Sequence, residues 1–262
     1  MKQLLLFQFA SLALCLCLTN QAAADHHKEK QILEVRTYYL VDEAAEEKLD
    51  EYLGDALIPA LERQGLGPIG AFDQVDPAED AGVQVVLLIP GSSVDAVVRA
   101  ESKLLQDEVY LAAAKAYLDT PRKQAVVKRI KSELLESFDC WPKVTVPEQK
   151  KANKDRLFEL RVYESSTEKL GQLKVEMFNA GEVPIFLASD IMPVFMGKAL
   201  IGDKMPNLTY MTVFDDAAAQ SKGWDAFRVN PDWKVLSKNK KYAGTVSKIH
   251  KSNWKPKSYS QL

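Results

Sequence analysis

The chain has 262 residues, a formal net charge of −2, 47% apolar residues and 27% charged residues. That composition excludes wholesale disorder, a collagen-like fibre and a polytopic membrane protein. The near-neutral balance gives no global reason to expect nucleic acid, and the length allows one large domain or two smaller ones.

Residues 1–24 read as a secretory signal. Lys2 is the only charge before Asp25, Leu4 to Leu18 is an almost unbroken apolar run, and Ala22-Ala23-Ala24 supplies small residues for cleavage after Ala24. The run is shorter than the roughly 20 residues a spanning helix needs, so no stable membrane anchor is expected after cleavage. A periplasmic or secreted protein is expected. Leu14 before Cys15 argues against lipidation. Cys15 and Cys17 leave with the signal, so Cys140 remains alone, reads as a packed thiol, and cannot form an internal disulfide. His26 and His27 follow the cleavage site and read as an inert tail pair rather than a metal site.

From residue 32 onward the sequence repeats at a fixed offset of 125 (Glu34 to Glu159). Glu34, Arg36 and Tyr38 in ILEVRTY match Glu159, Arg161 and Tyr163 in LFELRVY; Pro59 matches Pro184 and Pro68 matches Pro193. Each copy predicts a strand carrying E-x-R-x-Y and then an amphipathic helix, with Leu49, Tyr52, Leu53 and Leu57 in copy one and Leu170, Leu173, Met177 and Phe178 in copy two. Pro59 and Pro184 are expected to interrupt or end that helix. A second strand follows Pro68 and Pro193, and a third is VQVVLLI or NLTYMTVF. A second helix opens near Ser92-Ser93 or Asp215-Asp216, good capping residues. A last strand falls on ELLESF or TVSKIHKS, and extra residues around Thr120 to Lys131 are expected to be helical.

The order is βαββαβ, the ferredoxin-like split βαβ unit. The expected organisation is a leader at 1–24, a first ferredoxin-like repeat at 25–140, a linker at 141–155 and a second repeat at 156–262. The fold class is α+β, with tandem repeats closing on each other as an intrachain dimeric α/β barrel. Strand alternation puts Glu34, Arg36 and Tyr38 on one face and Leu33 and Val35 on the other. The apolar face is expected under the helices, so the two Glu-Arg-Tyr stripes are expected to line the barrel interior.

Those six residues, Glu34, Arg36, Tyr38, Glu159, Arg161 and Tyr163, are the candidate ligand-binding set. Arg suits planar recognition of carboxylate or phosphate, so a small polar or anionic molecule held in the interior is the leading functional reading. The competing structural reading is an ion pair that fixes sheet register. An alternative is a cofactor-independent oxygenase or isomerase, with Tyr38, Tyr163, Glu34 and Glu159 as acid/base candidates; another is a structural or interaction protein. No nucleotide-binding, hydrolase or redox motif occurs, so catalytic residues stay unassigned, enzyme activity is not favoured, and neither cofactor nor metal is expected. His250, on the last strand, is the one candidate for a haem ligand and reads better as a strand-face residue.

Charge is uneven: residues 25–80 hold 5 basic and 15 acidic residues, and residues 221–262 hold 10 basic and 2 acidic. Mutual docking of these oppositely charged ends, or two solvated faces, is favoured over a nucleic-acid partner despite the interleaved Trp224, Trp233 and Trp254. Further association into a homo-oligomer stays open.

The E-x-R-x-Y strand, the I-P or V-P before a short turn, Asn230-Pro231-Asp232-Trp233 and the closing PKSYSQL resemble the NIPSNAP family, most closely over about 157–262. In copy one, Gln106-Asp107-Glu108 stands in place of the N-P-D-W segment. The resemblance implies a dimeric α/β-barrel, ferredoxin-like fold and an exported bacterial member. It transfers no catalytic residue.

Overall fold

A computed structural model describes residues 29–262 apart from 76 and 78–81. The expected leader, with His26 and His27, lies outside the described residues. Eight strands form a closed barrel: β1 (Ile32–Leu40), β2 (Gly70–Val75), β3 (Gln84–Gly91), β4 (Val127–Ser137), β5 (Leu157–Glu164), β6 (Met192–Ile201), β7 (Asn207–Phe214) and β8 (Lys248–Pro256). The order around the barrel is β1-β3-β2-β8-β5-β7-β6-β4. The first half therefore contributes β4-β1-β3-β2 and the second contributes β8-β5-β7-β6, the same ferredoxin-like arrangement twice. Every pairing is antiparallel, and the halves join where β2 meets β8 and β4 meets β6. The joints give each edge strand a partner and leave no open edge to template aggregation.

The helix after the first E-x-R-x-Y strand does not stop at its proline. Ala45–Glu51 runs through a π-helical turn, Tyr52–Leu57, into Ile58–Arg63. In the second half the path Glu168–Met177, Phe178–Glu182, Val183–Ala188 is kinked: Gly181 leaves helical geometry at φ 177° and ψ −8°, so there the helix is interrupted three residues before Pro184. Proline cannot donate to the turn before it and crowds that turn's carbonyl; widening the turn makes room for the Pro59 ring, so the first helix continues where interruption was expected, while the second is interrupted at Gly181 as expected. The second helices start as read from the caps. The Ser93 hydroxyl accepts from Ala96 N at 3.1 Å and the Asp216 carboxylate accepts from Ala219 N at 2.8 Å. Glu108–Ala113 and Lys115–Leu118 follow in the first half where the Asn230-capped helix Pro231–Leu236 and a 3-10 turn, Lys240–Tyr242, follow in the second. Residues 120–131 are not the expected helix. Only Arg122–Gln124 makes a 3-10 turn, and β4 already begins at Val127.

The faces are the reverse of the expectation. Leu33, Val35, Phe72 and Leu135 from the first half pack with Phe158, Phe195, Met211 and Trp254 from the second, forming a core that no helix enters. This is the barrel interior. Tyr38 packs instead with helix residues of its own half, and Tyr163 with those of the second. The Glu-Arg-Tyr stripes thus lie on the outer sheet surface, beneath the helices. An eight-stranded barrel encloses little more than its own side chains; further along the same inward face of β4, Lys131 pairs with Glu133 at 3.0 Å and with Asp203 at 3.3 Å. Among the described residues, the interior at the level of Leu33, Val35 and Phe158 is filled by apolar side chains, where a polar ligand was expected. Residues 144 and 146 of the linker, both valine, also pack on this core, and Thr145 N donates to Val194 O at 2.9 Å.

The acidic and basic ends meet at Lys257. Its buried ammonium reaches Glu46 at 2.5 Å, Asp73 at 2.6 Å and Asp50 at 2.9 Å, while Leu262 inserts into the barrel core. Lys257→Met is expected to destabilise the protein by about 2 kcal/mol in chemical denaturation: breaking a buried pair costs more, but these acids are about one-third exposed and partly screened. Burial pushes the Asp73 carboxyl up to about 6, against the pull of Lys257. A carboxyl raised in the fold costs stability as pH climbs from its ordinary 3.8 through about 6. Without Lys257 that cost deepens, so the variant's deficit is expected to be larger at pH 7 than at pH 5. Equal deficits at the two pH values would refute the coupling.

Candidate functional site

Both Glu-Arg-Tyr stripes end in grooves between sheet and helices, and the two grooves differ in chemistry. In each, backbone alternation on the first strand of the half delivers Glu, Arg and Tyr to one face, and the pair is built locally. Arg36 Nε and Nη2 donate to the two Glu34 carboxylate oxygens at 2.8 and 3.0 Å. Arg161 Nε donates to Glu159 at 2.9 Å, and its Nη1 donates to the Tyr163 hydroxyl at 3.2 Å. The bland expectation of an ion pair on the sheet face therefore holds in both halves. Burial opposes the Arg36 charge, but Tyr38 and Glu34 beside it outweigh that and raise its pKa; Arg161 is raised likewise against burial, by Tyr210, Tyr163 and Glu159. Both cations stay charged.

The cross-strand neighbours set the difference. Opposite Arg36 on β4 is Ser132, which donates to Glu34 at 2.7 Å, and opposite Glu34 is Leu134. Opposite Arg161 on β8 is Lys251, and opposite Glu159 is Asn253. The second-half groove is a cavity of about 640 Å³ lined by Gln74, Glu159, Arg161, Gln220, Ser221, Trp224, Arg228, Lys251 and Asn253 among others. Trp224 forms its wall: the indole N–H donates to Glu159 at 2.5 Å and the Arg161 guanidinium lies 3.6 Å over the ring. Gly223 lets this helix sit close, since a Cβ there would stand 3.1 Å from the Ser189 carbonyl. Arg228 pairs with Asp225, whereas Lys251 has no ion-pair partner among the described residues.

The first-half groove, also about 640 Å³, is lined by Tyr38, Tyr52, Tyr110 and Tyr117 with Leu57, Val97, Leu104 and Leu134. Burial raises the pKa of Tyr38 against the pull of Arg36 and pushes Tyr117 up to about 12; in the second half, burial raises Tyr163 and Tyr210. These phenols are neutral at physiological pH.

Sequence reasoning missed a further cluster. Lys174 and Glu182 form an ion pair at 2.6 Å with side-chain exposures of only 5% and 3%. They stand at the repeat offset from Leu49 and Leu57, so carrying the offset through the helix would have exposed them. Tyr163 and Tyr210 share a hydrogen bond at 2.8 Å beside this pair. Tyr110 and Tyr117 come from the short helices Glu108–Ala113 and Lys115–Leu118; Tyr117 stands at the repeat offset from Tyr242, and Tyr110 at that of Val235. His250 bonds Glu164 at 2.5 Å on the strand face, and Cys140 is half-buried with its backbone N donating to Asn179 at 3.1 Å. Among the described residues, no group of three or more His, Cys, Asp or Glu is placed to hold a metal.

Residues 158–261 match the NIPSNAP family, so the second half carries a NIPSNAP domain. No curated protein matches the sequence. Among solved structures, a protein of Fusobacterium nucleatum named as a candidate monooxygenase superposes with a TM-score of 0.58 at 11% identity, covering 87% of this chain and 93% of its own. A similarly named protein of Lactobacillus acidophilus gives 0.50 at 12% identity, covering 86% and 93%. At these identities the likeness is one of fold.

Proposed function

We propose that this chain is a small-molecule-binding barrel protein whose second-half groove takes a small anion, a carboxylate or phosphate. The reading moves the ligand from the barrel interior to the space under the Ala217–Val229 helix. The observation that carries it is the Arg161–Lys251 register. Two cations directly opposite each other on one sheet face repel, Glu159 offsets only one of them, and the groove beside them is open and rich in amide and hydroxyl donors. An anion there recovers the repulsion and receives charge-assisted hydrogen bonds. Arg161, with three of its five N–H donors turned to Glu159 and Tyr163, supplies mainly field, and Lys251 supplies the unspent ammonium. The catalytic alternative gains less from the geometry, because Tyr38 and Tyr163 are held protonated and neither offers a phenolate base.

Calorimetric titration at low salt with inorganic phosphate, malonate and citrate tests the reading. At least one anion is expected to bind saturably, and Lys251→Glu is expected to weaken it about tenfold or more, the scale of one charged hydrogen bond. The control Lys103→Glu, on an exposed first-half helix, is expected to leave affinity unchanged. Absence of saturable binding by all three anions, or equal affinity in Lys251→Glu, removes the proposal.

A further inference from the structure

The first-half groove has the size of a ligand pocket but the opposite chemistry to the anion site. The charges on its floor cancel, because Arg36 is bidentate on Glu34 and Ser132 completes the carboxylate's bonds, and the other charge in its lining is the acidic Glu101. An anion would find no unspent cation on this floor. The walls are aromatic, and they already hold rings in parallel: Tyr52 and Tyr117 stack with centroids 3.8 Å apart and planes 8° from parallel. The mouth is apolar and open to water, with Val98, Leu105 and Ile201 exposed by 60%, 65% and 66%. Apolar surface of this kind at a pocket's entrance is a cost to a bare protein that a ligand relieves.

The pocket also holds tyrosine hydroxyl hydrogens with no acceptor among the described residues. Tyr52 and Tyr110 hydroxyls lie 2.9 Å apart. Two hydroxyls sharing one hydrogen bond use one hydrogen and leave the other undirected. The Tyr38 hydroxyl only receives, from Arg36 Nη1 at 3.5 Å, and its own hydrogen has no acceptor among the described residues. Buried donors left unspent are costly, and an oxygen on a bound molecule satisfies them.

From these observations we infer that the groove between β1, β4 and the helices of the first half is a second binding site, separate from the anion groove, for a neutral planar aromatic molecule bearing a phenolic or carbonyl oxygen. The ring system stacks among Tyr52, Tyr110 and Tyr117, its oxygen accepts from the Tyr52–Tyr110 hydroxyl pair or from Tyr38, and its edge covers the apolar mouth. A volume of about 640 Å³ accommodates two or three fused rings, within the ordinary range of small-molecule pockets. Neutrality is the discriminating property, because the floor carries a satisfied ion pair while the second-half groove carries excess positive charge.

Equilibrium dialysis of 2-naphthol, with 2-naphthoate as the anionic counterpart, tests the inference on the full chain. One saturable site for 2-naphthol is expected, with weaker binding of 2-naphthoate. Tyr110→Phe, which deletes one hydroxyl and preserves ring and volume, is expected to weaken 2-naphthol by about 3- to 10-fold. Leu105→Arg, a surface change at the mouth, is expected to weaken it as well and serves if the tyrosine variant folds poorly. Lys251→Glu is expected to leave 2-naphthol affinity unchanged, so this site and the anion site stand or fall separately. The inference is overturned if 2-naphthol does not saturate, if Tyr110→Phe binds it as wild type does, or if Lys251→Glu abolishes its binding.

Discussion

Lys174→Met is expected to destabilise the protein by roughly 3–5 kcal/mol, the cost of leaving one partner of a buried ion pair without the other. Lys174 lies on the Glu168–Met177 helix with its ammonium 2.6 Å from Glu182, 4.7 Å over the Phe178 ring and 5.8 Å over that of Tyr163. Nothing in that aromatic surround replaces the ammonium as a partner for the carboxylate. The first half holds leucine at both equivalent positions, 49 and 57, buried in an apolar core. The double variant Lys174→Met/Glu182→Leu restores that chemistry, and it is expected to recover to wild-type stability or exceed it by about 1–4 kcal/mol. Urea denaturation of both variants gives the comparison.

The same pair makes a pH prediction. Burial raises the Glu182 carboxyl above its ordinary value of 4.5, against the pull of Lys174. In Lys174→Met that pull is gone. The isolated carboxyl costs nothing below about pH 4.5, where it is neutral in folded and unfolded chains alike, and costs progressively more as pH rises toward its folded value. The stability gap between Lys174→Met and the double variant is therefore expected to close on acidification to pH 4.5 and to widen toward pH 7. A constant gap, or a double variant no more stable than the single one, would show that the ion pair is not what Lys174 contributes.

How much of this was legible in the sequence follows from what periodicity encodes. The offset of 125 located β1 and β5, both proline-bearing helices and the capped second helices, because each depends on residues a few positions apart. Alternation separated Glu34, Arg36 and Tyr38 from Leu33 and Val35, but it does not say which face is inside. In a closed barrel both faces of a strand are covered, one by helices and one by the opposite wall. The charged face goes where water still reaches: the Arg36 side chain keeps 15% of its surface exposed, under helices that leave a groove. The tyrosine pocket was illegible for another reason. Tyr52 lies on the π-helical turn, and Tyr110 and Tyr117 lie on two short helices more than fifty residues along the chain, so their meeting is tertiary. The helical expectation for 120–131 failed because β4 extends upstream to pair along the full length of β1.

Phe158→Ala tests the inverted faces most directly. Phe158 is fully buried on β5, and its ring meets Phe72 of β2 edge-on at 4.8 Å, so one side chain from each half closes the barrel at this level. Truncating a buried phenylalanine costs about 3–5 kcal/mol, the lost transfer energy plus the cavity it leaves. The loss is expected to fall on the whole chain rather than on the second half, because the interior is one core with walls from both halves. Far-UV circular dichroism and tryptophan fluorescence are therefore expected to report one coincident transition, shifted to lower urea, in wild type and variant alike. Had the interior been an open polar chamber, the same substitution would enlarge a hydrated space and cost little, and the repeats could melt separately. A loss under 1 kcal/mol, or two resolved transitions of which only one moves, would restore that picture and take the outer-groove placement of both arginines with it.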